Sequence, residues 1–160
     1  MQGGNNVIVV GAVLLFSVVA GLFAAGLWSG NIFPYTPSNV GLHSIAVGGV
    51  PLSVELSVTD EQHQRGLSGR EFLGYNNGML FVFDKPAKYR IWMKDMLFPI
   101  DVFWIDQHGV ITDVWEEAQP ESYPYVYEPA HDAKYILEAP AGFARVYNIK
   151  AGVAVTGLPQ

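Results

Sequence analysis

Lys88, Arg90, Trp92 and Lys94 occupy alternate positions of the stretch KYRIWMK, with Tyr89, Ile91 and Met93 between them. In an extended strand that spacing puts the first four on one face. Cations beside a tryptophan suit an anionic or sugar-like ligand: the indole stacks, and the ammonium and guanidinium groups hold carboxylate or phosphate. The same row equally suits a solvated outer face whose long side chains blunt a strand edge. Asp101 sharpens the choice. It is the one polar residue of IDVFWI (100–105), and an unpaired buried carboxylate is expensive, so it must meet water at a mouth or find a partner. Lys94 is close enough along the chain to be that partner, either as a structural ion pair or as an acid–base pair at a cleft.

Tyr123, Tyr125 and Tyr127 alternate in a proline-containing loop and, if extended, share a side. Such a comb caps a ligand site, contacts another protein, or packs down as a lid. Other chemistries lack their parts. His43, His63, His108 and His131 have no ligand spacing, so neither a metal centre nor any other cofactor is expected. Glu116 and Glu117 are strand neighbours on opposite faces and cannot flank one sugar bond. The chain has no G-x-S-x-G elbow and no glycine-rich loop opening a helix. It also has no cysteine, which excludes disulfides, thiolate metal sites and a cysteine nucleophile. A formal charge of −6 and a pI near 5.0 argue against a nucleic-acid partner.

The elements that must carry these residues read as strands. Leu52, Val54, Leu56 and Val58 alternate with Ser53, Glu55 and Ser57, and Gly48-Gly49 turns a short strand at Ile45–Val47 onto them. Thr59 and Gln62 form a capping box for a two-turn helix ended by Gly66. Asn76-Asn77-Gly78 is a turn before a strand at Met79–Phe83, and Asp84-Lys85-Pro86 is a second turn before Lys88–Met93. Ile100–Ile105 and Val110–Glu116 form a hairpin over Asp106-Gln107-His108-Gly109. Tyr135–Ala139, a short helix at Ala141–Tyr147 and a strand at Val153–Thr156 complete the chain. The expected class is mainly β (α+β): a small antiparallel β-barrel or sandwich with one or two short helices.

One transmembrane helix is expected before it. From Val7 to Trp28 the chain is uncharged, and 22 helical residues reach about 33 Å, enough for a hydrocarbon core of about 30 Å. The first six residues hold no Lys or Arg, and the apolar run exceeds a signal-peptide core, so a retained anchor is favoured over a cleaved signal. No charged residue precedes Glu55, and the remainder is about 23% charged, as in an ordinary soluble domain. The organisation read is an anchor at 1–28, a tether at 29–41 and a β-rich domain at 42–160. Orientation cannot be read from charge, because the nearest cation is Arg65.

Five ordered motifs resemble one known family: Arg65-Gly66-Leu67-Ser68-Gly69-Arg70, Gly78-Met79-Leu80-Phe81-Val82-Phe83, Trp92-Met93-Lys94-Asp95, Pro99-Ile100-Asp101 and Leu137-Glu138-Ala139-Pro140-Ala141-Gly142. Together they are similar to the signature of the domain-of-unknown-function 192 (DUF192) family, across roughly residues 50–155. The resemblance implies a small β-rich domain, often behind one N-terminal signal or anchor helix, and so an extracytoplasmic location. With the apolar run read as a retained anchor, the expectation is a single-pass protein of the cell membrane whose C-terminal domain lies outside the cytoplasm. The resemblance implies no activity. It does place Arg70, Trp92, Lys94, Asp101 and Glu138 on the family's polar and aromatic positions, suggesting one cleft or network; the loop reading puts Tyr123, Tyr125 and Tyr127 at its rim. The chain departs from the pattern at Ser68, where the family has Met, at Asp95-Met96, where it reads Asn-Thr, and at Val153, where it has Asp. The function expected is a membrane-tethered binding or accessory module for an anionic small molecule, a glycan or a protein. A structural or protein-interaction module is the alternative, and a small hydrolase or transferase using an Asp/Glu–Lys pair is a third.

Overall fold

The computed structural model describes residues 41–160, so the proposed anchor, and the tether apart from Gly41, lie outside the described residues. Among the described residues no helix is long and apolar enough to cross a membrane.

Gly48 and Gly49 take φ of 56° and 86°, the left-handed values of a two-residue hairpin turn. They fold β1 (His43–Val47) onto β2 (Val50–Ser57) with Val47 opposite Val50. The capping box then forms as read. Thr59 Oγ1 accepts from the Gln62 N–H at 3.3 Å, Gln62 Oε1 accepts from the Thr59 N–H at 3.1 Å, and α1 (Asp60–Arg65) follows.

Residues 58–76 carry the chain back, so that β3 (Asn77–Ala87) lies parallel to β2. A parallel neighbour requires such a crossover, and this pair corrects the expectation of a wholly antiparallel sheet. β3 is also longer than expected. Asp84-Lys85-Pro86 stays within the strand instead of turning, and the irregularity appears as a register shift between Val82 and Ala87 against β8 (Ala133–Pro140).

β5 (Ile100–Ile105) pairs with both β8 and β6 (Ile111–Ala118), while β9 (Val155–Thr156) pairs with β1. The seven strands run β6-β5-β8-β3-β2-β1-β9 and curl into a half-barrel, neither a sandwich nor a fully closed barrel. The two edges still touch at one end: Val110 bridges Ala154, and the Ile111 N–H donates to the Val153 carbonyl at 2.9 Å. α2 (Phe143–Tyr147) packs Phe143 and Ala144 into the core inside the curl, beside Phe103, Ile105 and Leu137.

The other face of the sheet has a separate cover. Phe81, Val102, Trp104 and Ile136 meet Leu67, Met93 and Met96 there, each such side chain contributing about 2 kcal/mol or more by leaving water. The cover includes a two-stranded ribbon of β4 (Ile91–Trp92) and β7 (Val126–Tyr127). The strand expected at Lys88–Met93 is reduced to that pair of residues, although Lys88, Arg90, Trp92 and Lys94 remain the exposed alternate set. The Trp104 Nε1–H fastens the segment by donating to the Tyr89 carbonyl at 2.7 Å.

Candidate functional site

Strand parity divides the predicted cluster. Asp101 pairs with Ala139 and Val102 with Glu138, so Asp101 and Glu138 stand on opposite faces of the sheet. Asp101 is fully buried inside the curl. Its two oxygens accept from the Glu117 N–H and the Ala144 N–H, both at 2.7 Å. It thus ties a kink in β6, where Glu117 has φ 48°, to the first turn of α2. Asp101 meets neither water at a mouth nor Lys94, and among the described residues the two form no ion pair.

Glu138 sits on the covered face, in the same row as Met79 and Glu55 of the two neighbouring strands. It is 5% exposed, and its Oε2 has no hydrogen-bond partner among the described residues. Burial pushes its carboxyl up to about 8, against the opposing pull of Arg70. Arg70 donates from Nη1 and Nη2 to Glu55 Oε1 and Oε2 at 2.5 and 2.8 Å. That bidentate bond, opposed by partial burial and helped by the charges of Arg70 and Arg65, holds Glu55 below the usual carboxylate range.

A cavity of about 200 Å³ opens over Glu138. One wall is the end of α1 and its loop: His63, Arg65, Gly66, Leu67 and Ser68. The other is the ribbon side: Tyr89, Arg90, Ile91, Trp92 and Met96, with Phe81 and Phe83 from β3. Gly66 is needed here. Its φ is 49°, and a Cβ would come to 3.3 Å from Phe81 Cζ and 3.7 Å from Glu138 Oε2, so a side chain would intrude on the cavity base.

The walls are braced. The ring of Tyr89 stacks on Phe83 with centroids 3.6 Å apart, and His63 leans on Phe83 at 4.5 Å while its Nε2–H donates to the Ser57 carbonyl at 2.9 Å. Ser68 Oγ donates to the Lys94 carbonyl at 2.8 Å, and the Gly69 N–H to the Asp95 carbonyl at 2.8 Å, fastening one wall to the turn beneath the other. Asp95 has φ 56°, a conformation that Asn and Asp tolerate better than most residues, which gives the position a backbone role.

Of the predicted residues, the structure brings Glu138 and Trp92 to one cavity, with Arg70 acting on Glu138 from beside it. Lys94 reaches that site only through its carbonyl. The tyrosines divide. Tyr127 stacks on Trp104 and Trp115, Tyr125 meets the edge of Trp115, and Tyr123 is 46% exposed. This packing covers part of the outer face next to β4, and none of the three tyrosines is among the residues that line the cavity. Sequence reasoning missed His63, Arg65, Phe81, Phe83 and Tyr89 as wall residues. The motif order already put Arg65-Gly66-Leu67 and Phe81-Val82-Phe83 in view, but their convergence on Glu138 depends on the parallel pairing. Among the described residues no three His, Asp or Glu side chains gather as a metal site.

Residues 43–157 match the model of the DUF192 family, described as Uncharacterized ACR. Among solved structures, one protein of Sinorhizobium meliloti 1021, provisionally named a transcription regulator, is 28% identical with a TM-score of 0.66, over 71% of this chain and 90% of that one. A protein of unknown function from Novosphingobium aromaticivorans DSM 12444 is 24% identical with a TM-score of 0.70, over 76% and 89%, a likeness in fold. No curated protein matches.

Proposed function

We propose, starting from the fact that this chain belongs to the DUF192 family, that its folded domain is a binding module whose ligand enters the cavity above Glu138. One observation carries the reading. Glu138 is a buried carboxyl with an unpartnered oxygen, set at the base of a cavity walled by Phe81, Leu67, Met96 and Trp92. Buried polar atoms are nearly always paired, and those that are not call for an explanation. A mostly apolar hollow with one polar group at its base is the usual form of a small-molecule site. Trp92, 49% exposed at the wall, offers a face for stacking.

The apolar run from Val7 to Trp28 is read as the anchor that holds this module at the outer side of a cell membrane. The regulator name of the Sinorhizobium protein is not carried over, because a formal charge of −6 opposes association with nucleic acid. A catalytic role using Lys94 with a carboxylate has less support, since the Asp101 oxygens are already taken by backbone N–H groups.

The test is a thermal-shift screen of the full chain against small acids, amines, amides and sugars, repeated with Trp92→Ala. A true ligand at 100 times its Kd adds about 2.7 kcal/mol, and the shift shrinks in the variant. If no class of probe raises the midpoint, the cavity is a packing feature and the reading fails.

A further inference from the structure

We infer that the ligand of this cavity is a small organic acid: an apolar or aromatic body of about ten heavy atoms ending in an anionic carboxylate or phosphate group. The inference rests on the reading of the cavity as a binding site and adds the chemistry of its occupant.

The size of the hollow sets the body. At about 200 Å³ it is smaller than the roughly 300–1,000 Å³ of sites for drug-sized ligands. It accepts one ring or a short branched chain against Phe81, Ile91 and Met96, which line it.

The charges set the other end. Arg65 and Arg90 are exposed and line the same cavity. They belong to a wider imbalance: six of the nine cations, Arg65, Arg70, Lys85, Lys88, Arg90 and Lys94, lie between positions 65 and 94 with only Glu71 and Asp84 against them. The rest of the chain carries a formal −10. A local cationic region in an acidic protein focuses an anion onto its cleft.

Glu138 then has a definite part. Arg70, whose charge is largely engaged by Glu55 of β2, acts on it from beside the cavity, and His63, Arg65 and Arg90 line the same cavity from α1 and the β3–β4 segment. Asp60 and Asp84 line an adjoining depression on the far side of His63 and Phe83, which directs the anion to the arginine side. Kept neutral by burial, the carboxyl holds an O–H for which the described residues supply no acceptor at Oε2. A cationic ligand would instead require Glu138 to ionise in a desolvated site and would face the two arginines. The neutral donor and the guanidiniums make the same demand, an oxygen anion.

The experiment titrates the full chain, in a nonionic detergent, with four probes sharing one ring: benzoate, phenyl phosphate, benzamide and benzylammonium, followed by ligand-detected NMR. The expected order puts benzoate or phenyl phosphate about tenfold or more ahead of benzamide, the size of a hydrogen bond to a charged group, with benzylammonium last. The ranking of the two acids identifies the anionic group. As pH rises from 6.5 to 9 the affinity for benzoate falls, because the donor becomes a like charge. Glu138→Gln, which keeps a donor, shows a smaller fall over the same interval. Arg90→Met, a change at an exposed side chain, weakens the acids about tenfold and leaves benzamide unchanged. Benzylammonium binding most tightly, or affinity rising with pH, overturns the organic acid and keeps the binding site. If none of the four probes binds, the organic acid falls, and the binding site falls with it when the wider screen, sugars included, also gives no shift.

Discussion

Replacing Glu138 with Gln should remove most of the difference between this protein's stability at pH 5 and at pH 8. In the folded chain burial pushes the Glu138 carboxyl up to about 8, while its ordinary value is 4.5. Between those two values the native state holds a proton that the unfolded state has released. Stability from this site is therefore complete below pH 4.5 and is lost as pH rises towards 8, at up to about 1.4 kcal/mol per unit. The whole window corresponds to about 5 kcal/mol, and the interval from pH 5 to pH 8 to about 3 to 4 kcal/mol. At about 4 °C per kcal/mol for a domain of this size, the wild-type midpoint should fall by about 15 °C more than that of Glu138→Gln over the interval. Thermal unfolding of both proteins at four pH values, followed by circular dichroism, measures this directly. Taking the difference between the two cancels the titration of the other groups. Midpoint curves that run parallel within about 3 °C would refute the account, because a carboxyl that ionises normally in the native state leaves no such slope.

Three further outcomes follow from the same geometry. Asp101→Ala leaves the Glu117 and Ala144 N–H groups without acceptors and should cost about 2 to 6 kcal/mol in urea unfolding, about 1 to 3 for each orphaned donor, with Asp101→Asn costing less; a loss below about 1 kcal/mol contradicts the assigned role. Lys94→Met changes an exposed side chain that forms no ion pair among the described residues, so its melting midpoint should stay within about 2 °C of wild type. Arg70→Met removes the charge that opposes the effect of burial at Glu138; a carboxyl titration by NMR should then move above the wild-type value, and a downward move would rule the arrangement out.

Much of the fold was legible because its signals are local. Gly48-Gly49 needs only its own φ freedom to make a hairpin, and Thr59 and Gln62 cap their helix across three residues, so both formed as read. The hairpin over Asp106-Gly109 is of the same kind, with Asp106 Oδ1 accepting from the His108 and Val110 N–H groups at 2.8 and 2.9 Å. Alternation misled where chain pairing had the final say. Residues 88–94 alternate, yet only Ile91 and Trp92 found a partner strand. Pro86 reads as a turn residue, yet it lies within β3.

The site divides in the same way. The sequence by itself determined which residue types were available: an aromatic and cationic stretch at 88–94, a carboxylate in each of two apolar strands, and an uncharged leader. Whether two of those residues meet depends on quantities no single segment contains. Register places Glu138 opposite Val102, which sends Glu138 and Asp101 to opposite faces. The parallel crossover lays Arg65-Gly66-Leu67 over Phe81 and Glu138. A strand's period of two makes every side chain's face depend on pairing to within one residue, and pairing is settled by the whole sheet. Only the tertiary structure, therefore, could make Asp101 a brace within the core and Glu138 the base of a cavity.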